Sequence, residues 1–286
     1  MRLAMTKVTK HFAKASTQYL KVNGIDFAYR RFGNSKNKVP LVGFQHFTGT
    51  LDNWDPLIMD ALAAEREVIV FDNVGVGNSG GNTPNTVESM TADAVLFIKA
   101  LGLSKIDVLG FSLGGFIAQH LGIYYSDLIR RIIMVGTAPQ GAEVLTGFAQ
   151  LIEHAMSLDP EERFLKIFFT DSESSREAGR SVLQRLNARK HDRDVETSVD
   201  SIMAQMKAIS AWATPPVEDH LSQIDHPVFI VQGSDDEMMD SNNSYVLFKS
   251  LPNATLSYYP DAAHGSFYQY PETFAVQAND FLDHFK

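Results

Sequence analysis

The chain has 286 residues, 44% of them hydrophobic and 21% charged, with a formal net charge of -9 and no cysteine. That length suits one α/β domain with an insertion better than two full domains. The negative charge argues against nucleic acid, whose phosphates need a basic surface, and the missing cysteine excludes disulfides, thiolate metal sites and a cysteine nucleophile.

The N-terminus carries Arg2, Lys7, Lys10 and Lys14 but no continuous apolar core or cleavage site. Residues 1–17 are therefore expected to be a basic, loosely docked arm rather than a signal peptide. Two strand-like runs follow, Gln18 to Val22 and Ile25 to Arg30, separated by Asn23-Gly24. Both turn residues tolerate positive φ, so the pair predicts a tight hairpin. Pro40 to Phe44 reads as a third strand, continuous rather than alternating, as expected when both faces are buried. Trp54 to Ala64 reads as a helix, Glu67 to Phe71 as a fourth strand ending at Asp72, and glycine-rich Gly75 to Pro84 as loop. Val87 to Leu101 has apolar residues at helical spacing. Ile106 to Leu109 and Ile129 to Val135 are the fifth and sixth strands. Strands alternating with helices predict βαβ units and a parallel sheet, with ligands at the carboxyl ends of the strands.

After Pro139 no strand pattern returns until Val228. Asp159-Pro160-Glu161-Glu162 is a helix start, with a cap residue, proline and then acids that suit the dipole. Ser172 to Arg189 and Val195 to Trp212 also read as helical, with charge suited to a solvated face. Residues 140–225 are expected to form a helical cap, and residues 18–139 and 226–286 the core. Apolar cap residues such as Phe148, Leu151, Ile152, Phe164, Phe168 and Trp212 are candidates for its inner face. Pro227 to Gln232 and Leu256 to Tyr259 give the seventh and eighth strands, and Pro271 to Phe285 a closing helix. The nine histidines form no H-x-x-x-H or H-x-H pair, so no zinc site is expected. No apolar run reaches the length of a membrane span. A cytoplasmic protein with a small-molecule partner is the expectation.

Gly110-Phe111-Ser112-Leu113-Gly114 stands where the fifth strand meets a helical pattern. A serine on such a turn is held in a strained conformation with its oxygen lifted clear of the sheet, and small flanking residues let the helix pass behind the strand. Such a serine needs a base. His264 lies in the loop after the eighth strand, and two acids, Asp235 and Asp236, follow the seventh. The order serine, acid, histidine places all three groups at the same edge of the sheet. His264 could then take the serine proton while the acid fixes its tautomer.

With these residues in place, the sequence resembles the α/β-hydrolase superfamily, in its branch of serine esterases, cofactor-free haloperoxidase-like enzymes and carbon–carbon bond hydrolases. The likeness runs from about Gln18 to Lys286. It rests on Gln45-His46-Phe47 in place of an H-G-x turn, on Phe71 to Ser79 in place of a D-x-x-G-x-G-x-S loop, on the serine motif, on Gly233 to Asp236 and on Ala263-His264. The resemblance implies an eight-stranded, mostly parallel sheet with helices on both faces and a helical cap, working without a cofactor. Its usual spacing from the glycine favours Asp236 over Asp235. It also implies an oxyanion hole from the N–H groups of Leu113 and Phe47, with Thr48 as the rival for the second, and gives Asp72 a turn-organising role. Gln45-His46 departs from the family's turn, Glu237 to Asp240 lacks its proline, and Ala263 replaces its glycine. Phe111, Met238, Trp212 and Phe267 are candidate substrate contacts. The function implied is hydrolysis of a carboxylic ester or small acyl compound through an acyl-enzyme. Perhydrolysis or carbon–carbon cleavage by the same residues is the alternative, and a ligand-binding protein on a hydrolase scaffold is the alternative of another class.

Overall fold

The computed structural model describes residues 11–34, 38–216 and 220–285. Most of the expected basic arm, including Arg2, Lys7 and Lys10, lies outside them. The end of the arm is docked: Phe12 is buried against Phe32, and its N–H donates to Asp60 at 2.6 Å.

The strands are β1 (Gln18–Val22), β2 (Ile25–Gly33), β3 (Leu41–Phe44), β4 (Glu67–Phe71), β5 (Ile106–Phe111), β6 (Ile129–Val135), β7 (Val228–Gly233) and β8 (Ala254–Tyr259). They form one eight-stranded sheet in the order β1-β2-β4-β3-β5-β6-β7-β8. The pairs β1–β2 and β2–β4 are antiparallel and the others parallel. Val22 pairs with Ile25, so Asn23 and Gly24 alone make the first turn, at φ 51° and 86°. Two consecutive positive φ values suit the right-handed twist of the flanking strands.

The sheet is apolar on both faces because helices cover both. These are α1 (Pro56–Ala63), α2 (Val87–Ala100), α3 (Leu113–Tyr124), α8 (Asn242–Ser250), α9 (Ser266–Gln269) and α10 (Pro271–His284). Strand parity divides the core. On β5, Ile106 and Val108 join the cluster that includes Phe97, Phe116 and Leu247 of α2, α3 and α8. Leu109 and Phe111 join the opposite cluster, with Leu62 of α1 and Phe274 of α10.

Between β6 and β7 the chain is helical, with α4 (Phe148–Met156), α5 (Pro160–Phe168), α6 (Glu173–Leu186) and α7 (Val199–Trp212). Each start has a local cause in the last three: Asp159, Ser172 and Ser198 accept hydrogen bonds from first-turn N–H groups. Ion pairs fasten this segment to the sheet domain. Arg185 donates to Asp55 at 2.7 Å, and buried Arg30 on β2 reaches Asp52 at 2.8 Å, whose other oxygen accepts the Asp194 N–H at 3.0 Å. Several expected boundaries shift, and one helix is new. The first helix begins at Pro56, capped by Asp55, rather than at Trp54. Helix α8 stands in a stretch where no element was expected.

Candidate active site

Loops at the carboxyl ends of β3, β5, β7 and β8 build the site. Ser112 links β5 to α3 at φ 55° and ψ -115°, a conformation that side chains strongly disfavour. Its backbone is pinned: its N–H donates to Val135 O at 2.9 Å, and its carbonyl accepts from Gly115 N at 2.8 Å and Thr137 Oγ1 at 2.9 Å. A Cβ on Gly110 would stand 2.4 Å from the Gly114 carbonyl oxygen, and one on Gly114 would stand 2.1 Å from that of Phe44. Only glycine lets strand and helix approach so closely.

His264, after β8, meets Asp236, after β7: Nδ1 lies 2.9 Å from Asp236 Oδ2. Asp236 Oδ1 accepts the N–H groups of Met238 and Met239 at 2.9 and 3.0 Å, and Oδ2 also accepts Gln232 Nε2 at 3.0 Å. These bonds fix the plane of the carboxylate. Aromatic rings fix the imidazole, with Phe111 and Phe168 centred 5.1 and 5.9 Å away. Asp235 is exposed and bonded to the Ser234 hydroxyl rather than to His264.

The turn after β3 is built by its own side chains. Gln45 Oε1 accepts the His46 N–H at 2.9 Å. His46 Nδ1 lies 2.7 Å from the Phe47 carbonyl oxygen. A carbonyl can only accept, so Nδ1 carries the proton and Nε2 is left as an acceptor. Burial pushes the His46 pKa down to about 4, against the opposing pull of that hydrogen bond, so the ring is neutral near pH 7. Thr48 donates its N–H to Gln205 Oε1 of α7 at 2.7 Å. Of the two rival oxyanion donors, Thr48 therefore has its N–H engaged.

Ser112, His264, His46 and Phe47 all line one cavity of about 540 Å³. Phe148, Ile152, Phe164, Phe168 and Met238 supply apolar wall, and Asp52, Arg163, Arg193 and Asp194 add charge. Sequence reasoning gave no sign of that charged wall, because its members come from distant loops and helices. Met238 is the one candidate substrate contact of four that lines this cavity. Phe111 and Phe267 are fully buried and meet edge to face, ring centres 4.7 Å apart, in the core, since parity sends Phe111 to the same face as Leu109. Trp212 lies against Phe116, outside this cavity.

Asp72 stays off the cavity wall. It accepts the N–H groups of Leu51 and Asn78 at 2.8 and 3.1 Å, tying two loops together. Burial holds its carboxyl well above the usual range, and the nearby Asp194 charge adds to the shift. Among the described residues no group of three His, Cys, Asp or Glu side chains is placed to hold a metal ion, and no helix is long and apolar enough to cross a membrane.

Fold and loop geometry agree with sequence comparison. The family model described as alpha/beta hydrolase fold matches residues 40–271, and the chain belongs to that family. Among solved structures, an alpha/beta hydrolase fold protein from Chitinophaga pinensis is 56% identical, with a TM-score of 0.94 over 96% of this chain and 100% of that one. RutD of Rhizobium rhizogenes, provisionally assigned as a carbamate hydrolase, is 25% identical over 246 residues, 82% of this chain and 88% of the relative. The 2-hydroxymuconate semialdehyde hydrolase of a Pseudomonas species is 24% identical over 236 residues, 80% of this chain and 81% of the relative.

Proposed function

We propose that this α/β-hydrolase is a serine enzyme that cleaves a carboxylic ester or related small acyl compound through an acyl-enzyme. The observation that carries the reading is the Asp236–His264 hydrogen bond of 2.9 Å, with His264 on the wall of the cavity that Ser112 also lines. Asp236 holds the imidazole with its proton on Nδ1, which leaves Nε2 free to act as base. Ser112 Oγ attacks the carbonyl carbon while its proton passes to Nε2. The oxygen that gains negative charge faces the N–H groups of Leu113, first in α3, and Phe47. The Leu113 N–H sits at a helix N-terminus, where the dipole favours an anion. His264 then returns the proton to the departing alkoxide as the carbon–oxygen bond breaks. In the second half, His264 takes a proton from water, the hydroxide attacks the acyl carbon, and Ser112 leaves and recovers its proton. The helical segment α4 to α7 serves as a lid that limits water around the reacting carbonyl.

The relatives named for carbamate and semialdehyde substrates keep a second reading in view, in which the same residues act on another carbonyl compound with a nitrogen or carbon leaving group. The test is Ser112→Ala. It should lose turnover of short p-nitrophenyl esters and the mass adduct formed with a fluorophosphonate. Survival of both would sink the proposal. Parallel assays with carbamates, a ring-cleavage semialdehyde, and peroxide plus acetate assign the leaving group.

A further inference from the structure

Among the described residues, six that are not glycine have positive φ: Asn23, Thr48, Ser112, Asp192, Asp240 and Asp261. Asparagine and aspartate tolerate that region. Ser112 and Thr48 are the two exceptions, and both line the cavity of the candidate active site. Thr48, at φ 62°, is β-branched, so its conformation is strained. It stands next to Phe47 in the turn after β3. Strain of this kind persists only where the surroundings over-determine it.

Four hydrogen bonds hold the two peptide groups that flank Thr48. In the first group, the Phe47 carbonyl accepts from His46 Nδ1 at 2.7 Å, and the Thr48 N–H donates to Gln205 Oε1 at 2.7 Å. In the second, the Thr48 carbonyl accepts from Thr197 Oγ1 at 2.8 Å, and the Gly49 N–H donates to the His46 carbonyl at 3.0 Å. Two of the four bonds belong to the turn itself. The other two reach it from the segment between β6 and β7, 149 and 157 residues further along the chain. That segment is tied to the sheet domain on either side of Thr197. Asp194 donates its N–H to Asp52 Oδ2 at 3.0 Å and accepts from Asn78 Nδ2 at 2.8 Å. Ser201 and Gln205, one helical turn apart on α7, are both buried, and Ser201 Oγ donates to the Gly75 carbonyl at 2.6 Å.

We propose that Thr197 and Gln205 are positioning residues through which the lid sets the oxyanion hole. They hold Thr48 in its strained conformation and so fix how Phe47 is presented to the cavity. The proposal rests on the reading of Phe47 as an oxyanion donor. With the lid undocked, only His46 would restrain the turn, and Thr48 would relax toward negative φ. Substrate could then enter, but the developing negative charge would meet one fixed donor, Leu113, and one misplaced donor. Turnover is thereby tied to a docked lid.

Two readouts on the full chain test it. Thr197→Val keeps the shape of a half-buried side chain and removes its donor, so the fold should hold. On p-nitrophenyl acetate its kcat should fall roughly tenfold with KM nearly unchanged, and Thr197→Ser should recover most of the loss. In a Thr48→Gly background, where positive φ carries no penalty, Thr197→Val should lower kcat by less than about threefold. Amide hydrogen exchange reads the restraint without turnover: the Gly49 N–H should exchange at least about tenfold faster in Thr197→Val than in the parent. Unchanged exchange at Gly49 would overturn the proposal whatever the kinetics. Faster exchange with parental kcat, or an undiminished kcat loss in the Thr48→Gly background, would overturn the positioning role. A parent with no ester turnover and no fluorophosphonate adduct would instead sink the serine-enzyme reading, and the exchange rates would still decide whether the lid holds the turn.

Discussion

Replacing Asp236 by asparagine tests the acid assignment against its neighbour. The structure dictates how the new amide sits. Two backbone N–H groups point at the Oδ1 position, at 2.9 and 3.0 Å, so the amide oxygen settles there. The NH2 group then occupies the Oδ2 position and faces His264 Nδ1. A donor there selects the other imidazole tautomer, with the proton on Nε2, and that nitrogen can no longer take the serine proton. The Gln232 amide can turn to accept from the new NH2 with Oε1, which has no partner in the parent, so the fold should survive. Loss of the correct tautomer elsewhere costs roughly 10^4-fold in kcat, or about 5 kcal/mol of barrier. Asp235→Asn touches an exposed carboxylate bonded to Ser234 and should stay near parent activity. Steady-state hydrolysis of p-nitrophenyl acetate, with circular dichroism to check the fold, decides the matter. Asp236→Asn within tenfold of the parent, or an equal loss in Asp235→Asn, would refute the reasoning.

Ser112→Gly should melt higher than Ser112→Ala, by the equivalent of roughly 1–3 kcal/mol, because glycine relieves the strain at φ 55°; equal melting temperatures would show that the turn is unstrained. Gln205→Leu removes the acceptor that holds the Thr48 N–H, and kcat should fall roughly tenfold with little change in KM; a rise in KM alone would assign Gln205 to substrate binding instead. His46 has a folded pKa of about 4 against 6.5 in the unfolded chain, so the unfolded state binds more protons between those values. Its contribution is therefore present above about pH 6.5 and lost as pH falls toward about 4, at most roughly 3 kcal/mol. Urea unfolding at pH 7 and pH 4.5 should show this loss in the parent and a smaller one in His46→Gln; equal losses would place the pH dependence in other groups.

The features that sequence revealed are those set by neighbours in the chain. β3 is a short, continuous apolar run because both faces of the sheet are covered, and the glycines beside Ser112 mark a close backbone approach that no other residue allows. The side-chain environment was harder to read. Phe111 stands next to Ser112 in the chain, yet strand parity buries it against Phe267 on one face of the sheet. Trp212 shows the same limit on a helix: apolar spacing predicts that a face is buried but not what covers it, and here Phe116 does. Gln205 and Gln232 were invisible because their partners, Thr48 and Asp236, are fixed by packing between distant elements. The engagement of the Thr48 N–H likewise depends on α7, more than 150 residues away in sequence.

The sheet order has a consequence for how the molecule is made. Ser112 follows a central strand, whereas Asp236 and His264 follow β7 and β8, which pair with each other at one edge. Those strands leave the ribosome last. A nascent chain thus carries the serine proposed as nucleophile long before it carries the base proposed to activate it. Chains begin to fold from the N-terminal side during synthesis. Addition of β7 and β8 would then both complete the sheet and switch on the serine, so a truncated or half-folded chain would be a poor hydrolase toward whatever esters surround it.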